Sequence, residues 1–385
     1  MNTRPHIFNL SRDELREQFQ QWSMPAFRAD QVLDWVYRKH VIDPQQMLNL
    51  SKADRANLSE NLRFDSGALI QHQAATDGVQ KLLVQWEAEG QGPGAKGQGR
   101  ELDILDARRQ TECVMIPVDE IEDEHTKTRR TACISSQVGC AVGCRFCASG
   151  LGGLDRDLTA GQIVEQVWRL GTLEGVAPVG RISHVVFMGM GEPLANFAQV
   201  TRAIRLINAD WGLGISARRI TISTVGLPAQ IRRLAELELP VTLAISLHAP
   251  NDTIRRQLIP WAEYVTIEQL LEAGRFYFDQ TGREITLEYI LLGGVNDQAQ
   301  HAKELSQVAR TLRANVNLIR YNEVKGLPFD RPHTEDVRSF QAILRKAGVN
   351  AHIRASRGRD IVAACGQLRH EQRASNKPQH SSPST

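Results

Sequence analysis

Three cysteines, Cys140, Cys144 and Cys147, lie within eight residues in the pattern Cys-x3-Cys-x-Phe-Cys. Thiolates packed this densely bind soft metals and iron–sulfur clusters. A structural zinc site takes four protein ligands, and no second closely spaced cysteine pair follows in the chain. Three ligands on a cubane cluster leave its fourth iron open to a small molecule. The pattern therefore predicts an open [4Fe-4S] cluster rather than half of a zinc ribbon.

The other three cysteines stand alone in the sequence. Cys133 lies seven residues before the first cysteine of the motif, Cys113 follows Glu112, and Cys365 lies in the segment Ala-Ala-Cys-Gly-Gln-Leu. Isolated free cysteines are most often small buried apolar residues. Their positions alone therefore assign them no chemistry.

The composition is that of a soluble globular protein with more than one domain. Of its 385 residues, 42% are hydrophobic and 23% are charged, and 46 basic against 44 acidic side chains give a net charge of +2. No run approaches the roughly 20 apolar residues of a membrane span, and the N-terminus has no secretory segment. We therefore expect a cytoplasmic protein with reduced thiols. Any contact with nucleic acid must come from local basic patches.

The first part of the chain predicts a small helical domain. Residues 1–65 repeat apolar residues at helical spacing, and Ser11 with Glu14 forms a capping box at the start of the first helix. Four arginines of this part could contact phosphate, although a solvated helix face explains them at least as well. These arginines are Arg12, Arg16, Arg28 and Arg38.

The next part of the chain changes from helices to strands. Residues 66–125 predict a strand-rich extension, interrupted at 88–99 by a Gly-rich hairpin tip or linker. The acidic stretch 119–124 predicts a solvated loop rather than a metal site. At the other end of the chain, residues 369–385 are almost all polar, with Ser, Pro, Gln and one Lys, and predict a disordered tail.

Residues 126–368 contain the cysteine motif and then alternate strands with helices. Strands rich in Val and Ile that alternate with helices predict a parallel sheet, curled by right-handed crossovers into a full or partial barrel. The six strands predicted after the motif are 183–188, 219–223, 241–247, 284–291, 315–320 and 350–353. In such a barrel, function gathers at the C-terminal ends of the strands. Polar groups follow four of these ends, at Glu192, Ser223, Ser246 with His248, and Asn322.

Several motifs resemble those of one family. The segments Ser-Ser-Gln-Val-Gly-Cys, Met-Gly-Met-Gly-Glu-Pro, Ile-Ser-Leu-His-Ala-Pro-Asn-Asp, Val-Asn-Leu-Ile and Ala-Cys-Gly-Gln-Leu occur in this order. With the cysteine pattern, they resemble the RlmN/Cfr family of radical S-adenosylmethionine (SAM) RNA methyltransferases over roughly residues 1–368. The resemblance implies an α/β fold: a partial TIM-type barrel of the radical SAM kind with a small helical accessory domain that binds RNA.

The same resemblance implies the cofactors. An external donor such as flavodoxin or ferredoxin would reduce the [4Fe-4S] cluster, and SAM on its open iron would be cleaved to a 5′-deoxyadenosyl radical. Cys140, Cys144 and Cys147 would ligate the cluster, and Gly191 with Glu192 would hold the amino group of SAM. The rest of the SAM pocket would be lined by Ser223, Ser246, Leu247, His248 and Asn322.

A second pair of sulfurs would carry the methyl group. By the resemblance, Cys365 takes a methyl from one SAM, a second SAM activates that S-methyl group, and its carbon adds to C2 of adenine. The segment Glu-x-Val-x-Ile-Pro places the acceptor of the C2 proton at Glu112. Cys133 would then attack the Cys365 sulfur, leaving a disulfide and the methylated base. The segment 118–130 is longer than in shorter family members and leaves the geometry around Glu112 open.

The resemblance implies 23S ribosomal RNA as a substrate, methylated at C2 of one adenosine, together with an adenosine in tRNA anticodon loops. Methylation at C8, as in Cfr, would use the same cysteines and is one alternative. A radical SAM enzyme for a small metabolite and a non-catalytic cluster or zinc protein that binds nucleic acid are the others. The paired distant cysteines and the helical domain favour the RNA enzyme.

Overall fold

The computed structural model describes residues 4–87, 106–122, 125–176 and 181–368, with backbone alone at 119–122 and 125–128. The hairpin tip predicted at 88–99 and the tail predicted at 369–385 lie outside the described residues. No helix within the described ranges is both long and apolar enough to cross a membrane.

The N-terminal part is helical, as predicted. Its helices are α1 (Arg12–Gln21), α2 (Arg28–Leu33) and α3 (Lys52–Asn61), and a π-helical turn follows α2 at Asp34–Arg38. Helix α1 begins at the predicted capping box, in which Ser11 Oγ accepts from Glu14 N (3.2 Å) and Glu14 Oε2 accepts from Ser11 N (2.7 Å).

The rest of the described chain is built on one large sheet. The strands are β1 (Gly67–Ala74), β2 (Gln80–Trp86), β3 (Gln110–Glu122), β4 (His125–Cys133), β5 (Gln137–Gly139), β6 (Leu154–Asp157), β7 (His184–Phe187), β8 (Ile220–Thr224), β9 (Thr242–Ser246), β10 (Ile285–Leu291), β11 (Asn315–Arg320) and β12 (Ala351–Arg354). Strands β5 and β6 pair with each other, and the other ten form one sheet in chain order. Strands β1 to β4 pair antiparallel, and every pair from β4 to β12 is parallel.

Helices connect the parallel strands. They are α4 (Ala160–Gly171), α5 (Phe197–Asn208), α6 (Pro228–Ala235), α7 (Asp252–Leu258), α8 (Ile267–Thr281), α9 (Ala299–Leu312) and α10 (Thr334–Lys346). Strand β10 is buried along almost its whole length, as expected for a parallel strand covered on both faces. Because the sheet runs from β1 to β12 without closing, the α/β fold is the predicted partial barrel with an N-terminal helical part.

The acidic stretch is the main difference between the predicted and observed elements. In place of a solvated loop at 119–124, strand β3 continues to Glu122 and pairs antiparallel with β4, with Val118 opposite Arg129 and Glu120 opposite Lys127. Alternating Val, Ile and Thr residues favour strands, and here this preference outweighs the local charge. The antiparallel strands are thus continuous with the barrel sheet.

Candidate active site

The three cysteines of the motif lie on one loop between β5 and β6. Gly143 in this loop has φ +68°, a left-handed conformation that glycine adopts without strain. Backbone hydrogen bonds fix the loop at three points: Cys140 N to Gly153 O (2.9 Å), Arg145 N to Leu258 O (2.9 Å) and Ala148 N to Gly366 O (2.8 Å). All three cysteines line one cavity of about 150 Å³, which we call the inner cavity.

Apolar side chains such as Phe146 and Leu258 surround the thiols. Burial raises the pKa of Cys140 to about 12, and it also raises the pKa values of Cys144 and Cys147. A metal must therefore displace these protons when it binds. Among the described residues, no three His, Cys, Asp or Glu side chains are placed to hold one metal ion. Three separated thiols on one cavity fit a cubane cluster, whose ligands bind different irons.

The turn after β7 brings Gly191 and Glu192 to the inner cavity. Gly191 has φ +101°, and a Cβ there would lie 2.6 Å from Gln137 Cβ, so a larger residue would not fit. Burial raises the pKa of Glu192 to about 7, although its hydrogen bonds lower it. A cation beside this carboxylate would be stabilised. The hydrogen-bond donors to Glu192 are Leu194 N (2.9 Å), Thr224 Oγ1 (2.7 Å) and Val225 N (2.8 Å).

Polar groups from β8 and β9 line the same cavity. Ser223 Oγ and Ser246 Oγ lie 3.1 Å apart. His248, just after β9, accepts a hydrogen bond at Nδ1 from Ile290 N (3.0 Å), so its neutral ring carries the proton on Nε2. Burial lowers the pKa of His248 to about 3, so the ring stays neutral near pH 7.

Two residues predicted for the SAM pocket, Leu247 and Asn322, do not line the inner cavity. The side chain of Leu247 is buried in the core, and Leu247 N donates to Glu288 O (3.1 Å). Asn322, beyond β11, lines a second cavity of about 290 Å³, which we call the outer cavity. Its Oδ1 accepts from Arg331 Nη1 (3.1 Å). Neither residue therefore belongs to the wall of the inner cavity.

Cys365 lies between the two cavities. It lines both of them, whereas Cys133, the last residue of β4, lines the outer cavity. Burial raises the pKa of Cys133 to about 12, a Cys365 thiolate would raise it further, and Arg354 and the backbone N–H of Met188 lower it. The structure thus brings the two isolated cysteines together, with the motif cysteines on the other side of Cys365.

Glu112 lies on β3, on the same face of the strand as Ile116, which lines the outer cavity. Glu112 itself lines neither cavity. Its Oε1 lies 3.0 Å from Lys81 Nζ, which also donates to Val362 O (3.1 Å). The predicted proton acceptor is therefore beside the segment that carries Cys365, in an ion pair rather than on a cavity wall.

Sequence patterns missed two charged residues of the site, Glu288 and Arg354. Glu288 Oε1 accepts from Asn317 Nδ2 (2.9 Å), and its Oε2 lies 3.6 Å from Arg354 Nη1. Both residues line the inner cavity, and Arg354 also lines the outer one. Glu288 could have been found from the sequence, because it is the one acidic residue in the apolar strand β10. A carboxylate buried in such a strand needs a partner of opposite charge or a hydrogen-bond donor.

Family models match two parts of this chain. Residues 6–63 match the model described as the ribosomal RNA large subunit methyltransferase N-terminal domain, and residues 134–305 match the radical SAM superfamily. The first match covers the helical part. The second contains the cysteine motif and the residues that line most of the inner cavity.

Relatives match nearly the whole chain. A probable dual-specificity RNA methyltransferase RlmN from Rhodopirellula baltica is 42% identical over 364 residues, which are 94% of this chain and 90% of that protein. A protein of the same description from Synechococcus sp. is 43% identical over 96% of this chain and 99% of its own. The crystal structure of a radical SAM methyltransferase from Sphaerobacter thermophilus covers 94% of this chain and 99% of its own, with 39% identity and a TM-score of 0.83. Because fold, cysteine motif and full-length similarity agree, this chain belongs to the RlmN family.

Proposed function

We propose that this chain methylates C2 of one adenosine in 23S ribosomal RNA and C2 of an adenosine in tRNA anticodon loops. Relatives that are 42% and 43% identical are described as dual-specificity RNA methyltransferases, which supports RNA as the substrate class. We place the reaction in the cytoplasm, where thiols are kept reduced, with flavodoxin or ferredoxin as the electron donor.

The observation that carries the proposal is the position of Cys365 on both cavities. A sulfur there can receive a methyl group from a donor in the inner cavity and present it to a base in the outer cavity. C2 of adenine lies between two ring nitrogens and is a poor nucleophile, so it does not attack a SAM methyl directly. A small-metabolite enzyme with one cavity would need no such carrier.

The residues of the inner cavity suit the two cofactors. When bound, the [4Fe-4S] cluster and SAM would supply the methyl group and the radical that removes hydrogen. Cys140, Cys144 and Cys147 would hold the cluster, and Glu192 with the open backbone at Gly191 would bind the SAM amino group. The remaining contacts to SAM would come from Ser223, Ser246, His248, the backbone of Leu247 and, from the side of the outer cavity, Asn322.

Cys365 would carry the methyl group, and after hydrogen removal its carbon would add to C2 of adenine. Glu112 would accept the C2 proton, which requires its carboxylate to leave Lys81 Nζ, 3.0 Å away. The unpaired electron that radical addition leaves on the adduct must also be removed, with the oxidised [4Fe-4S] cluster as its acceptor. Cys133 would then attack the Cys365 sulfur. In this step an S–S bond forms and the S–C bond breaks, and the carbon keeps the electron pair and takes a proton to become the methyl group.

We place the adenine in the outer cavity, flipped out of its RNA strand. Arg129 and Arg357 lie on the wall of this cavity, where cations suit RNA phosphates. The helical accessory domain, proposed at residues 1–65, would add contacts beside the barrel domain at 126–368. Three of its four candidate arginines pair with carboxylates of their own domain: Arg16 with Asp30 (2.7 Å), Arg28 with Asp54 (3.5 Å) and Arg38 with Asp34 (3.8 Å). We therefore place the main phosphate contacts at the wall of the outer cavity, beside the proposed adenine site, rather than at these helices.

The proposal can be tested with the anaerobically reconstituted protein, SAM, a reductant, and either a 23S ribosomal RNA fragment or tRNA. Nucleoside mass spectrometry should detect 2-methyladenosine in both RNAs. Two SAM molecules per methyl group should give equal amounts of S-adenosylhomocysteine and 5′-deoxyadenosine. A product of 8-methyladenosine would favour the C8 alternative, and 5′-deoxyadenosine without modified RNA would indicate a small metabolite.

Cys365→Ser is the matched variant, because it removes the carrier sulfur and leaves the motif cysteines in place. It should incorporate iron and sulfide as the wild type does, yet leave the RNA unmodified. Methylated RNA from this variant would refute the role of Cys365.

A further inference from the structure

Arg255, on the short helix α7, is a fully buried cation, with 0% of its surface exposed. Its guanidinium donates to two neutral acceptors, Val225 O (Nη2, 2.6 Å) and Val265 O (Nη1, 3.2 Å), and its Nε makes no hydrogen bond. Among the described residues, no carboxylate lies within ion-pair distance of it. The removal of a cation from water is unfavourable unless an anion accompanies it, and backbone carbonyls offset only part of that cost. Asp252 of the same helix acts on Arg255 only from beyond ion-pair distance, so Arg255 has no direct anionic partner among the described residues.

The loop that carries the motif thiols lies next to the helix that carries Arg255. The cysteine loop is bonded to the end of α7 through Arg145 N and Leu258 O (2.9 Å). Val225, whose carbonyl accepts from Arg255, lines the inner cavity together with Cys144. The guanidinium therefore lies directly behind the wall of the cavity that the motif thiols share.

We propose that Arg255 is the buried counter-charge of the iron–sulfur cluster and makes the cluster easier to reduce. The negative charge of three thiolates exceeds the positive charge of an oxidised cubane core, so the liganded cluster is an anion. Reduction by one electron makes this anion more negative. A fixed cation in a buried apolar site stabilises the reduced cluster, which is more negative, more than it stabilises the oxidised cluster. Arg255 would therefore raise the reduction potential. The inference depends on the cluster of the proposed function and not on the RNA that is modified.

A second contact extends the role of Arg255 to the SAM pocket. The carbonyl of Val225 accepts from Arg255, and the N–H of the same residue donates to Glu192 Oε2 (2.8 Å). One residue therefore links the buried cation to the carboxylate that we assign to the SAM amino group. Arg255 is a positioning residue in this sense, because it acts on SAM through Val225 and Glu192.

The test is a potentiometric titration of the reconstituted full-length protein without SAM or RNA, followed by electron paramagnetic resonance. Arg255→Met removes the charge, Arg255→Lys keeps it, and Arg256→Met is the control, since the side chain of Arg256 is 43% exposed. At a fixed potential, Arg255→Met should hold about tenfold less reduced cluster, a shift of about 59 mV to lower potential. Arg255→Lys should recover most of this loss, and Arg256→Met should match the wild type.

A wild-type potential in Arg255→Met with full iron and sulfide content would overturn the inference. If Arg255→Met does not incorporate the cluster, Arg255→Lys decides. Normal iron content and potential in the lysine variant would support a role for the charge, whereas failure of both variants would show that shape and hydrogen bonds matter instead, and would overturn it. Unmodified RNA together with the expected shift in potential would count against the proposed RNA reaction and not against this inference.

Discussion

Arg354 Nη1 lies 3.6 Å from Glu288 Oε2, and this ion pair stands at the junction of the two cavities. The same nitrogen donates to Met188 Sδ (3.4 Å). Burial raises the pKa of Glu288, and Arg354 lowers it. Because Arg354 also lowers the pKa of Cys133, the pair holds a positive charge beside the sulfur that we expect to act as a nucleophile.

Replacement of Arg354 by Gln should therefore slow the attack of Cys133 on Cys365. Loss of the guanidinium should raise the pKa of Cys133 further, and one pKa unit means about tenfold less thiolate near neutral pH. Single-turnover reactions on denaturing gels should show a covalent RNA adduct that persists about tenfold longer and decays faster at higher pH. Arg320→Gln is the control, since Arg320 bonds to Pro332 O away from the sulfurs. Wild-type decay at every pH would refute the role of Arg354.

The Cys133→Ala variant should accumulate protein that is covalently bound to RNA. Without the resolving thiol, the carbon between Cys365 and the adenine has no route of release. Mass spectrometry of nuclease-treated protein should find adenine attached to the peptide that contains Cys365. Cys113 is a buried cysteine in the main core, and the control variant Cys113→Ala should show no adduct. Free RNA with unimpaired methylation from Cys133→Ala would contradict the proposed role of Cys133.

Glu192 should make the stability of the cofactor-free protein depend on pH. Burial raises its pKa from 4.5 to about 7. Because the pKa is higher in the folded than in the unfolded state, the contribution of Glu192 to stability is complete below pH 4.5 and is lost as the pH rises towards 7. The free energy of unfolding should fall by about 3 kcal/mol over this range. Urea denaturation at pH 5 and pH 7.5 should show this difference in the wild type and a smaller one in Glu192→Gln. Glu236→Gln, at an exposed site, should keep the full difference, and an equal difference in all three proteins would rule out this origin.

Glu165 should stabilise the region where helix α4 of the barrel meets His6 and Ser66. This buried carboxylate on α4 accepts from Ser66 N (3.0 Å), Ser66 Oγ (2.6 Å) and Arg169 Nε (2.8 Å), and it lies 3.4 Å from His6 Nε2. Glu165→Ala leaves Arg169 without its carboxylate partner, which should lower the free energy of unfolding by about 3–5 kcal/mol. Urea denaturation measures the change. Glu268→Ala, at an exposed position of α8, should cost little, and an equally small effect at Glu165 would contradict the prediction.

The sequence predicted the parallel part of the sheet closely. All six strands predicted after the cysteine motif are present, and their ends agree within one residue. Most of them are short runs in which buried apolar residues recur between two predicted helices, so the helices on either side mark where the strands begin and end. The capping box at Ser11 and Glu14 is equally local and is confirmed. Helix α7 and the pair β5 and β6 were missed because elements this short have no measurable periodicity.

The relations between distant residues could not be predicted. The ion pair of Glu112 with Lys81 depends on the antiparallel register of β2 and β3, and that of Glu288 with Arg354 depends on the order of β10, β11 and β12. Register and strand order are properties of the whole sheet. A motif identifies which residues carry chemistry, whereas the pairing of strands decides which of them meet.

The segment after β12 returns to the hairpin of β1 and β2 at the opposite edge of the sheet. There Asp77 Oδ2 accepts from Gly358 N (2.9 Å), and Asp360 Oδ2 accepts from Thr76 N (2.9 Å). Cys365 lies on this returning segment. A disulfide between Cys133 and Cys365 would therefore link β4, the first parallel strand, covalently to the segment that follows β12, the last one. This link would close the open side of the partial barrel. Reduction of this disulfide, which restores both thiols for the next methylation, would also remove the covalent link between the two ends of the parallel sheet.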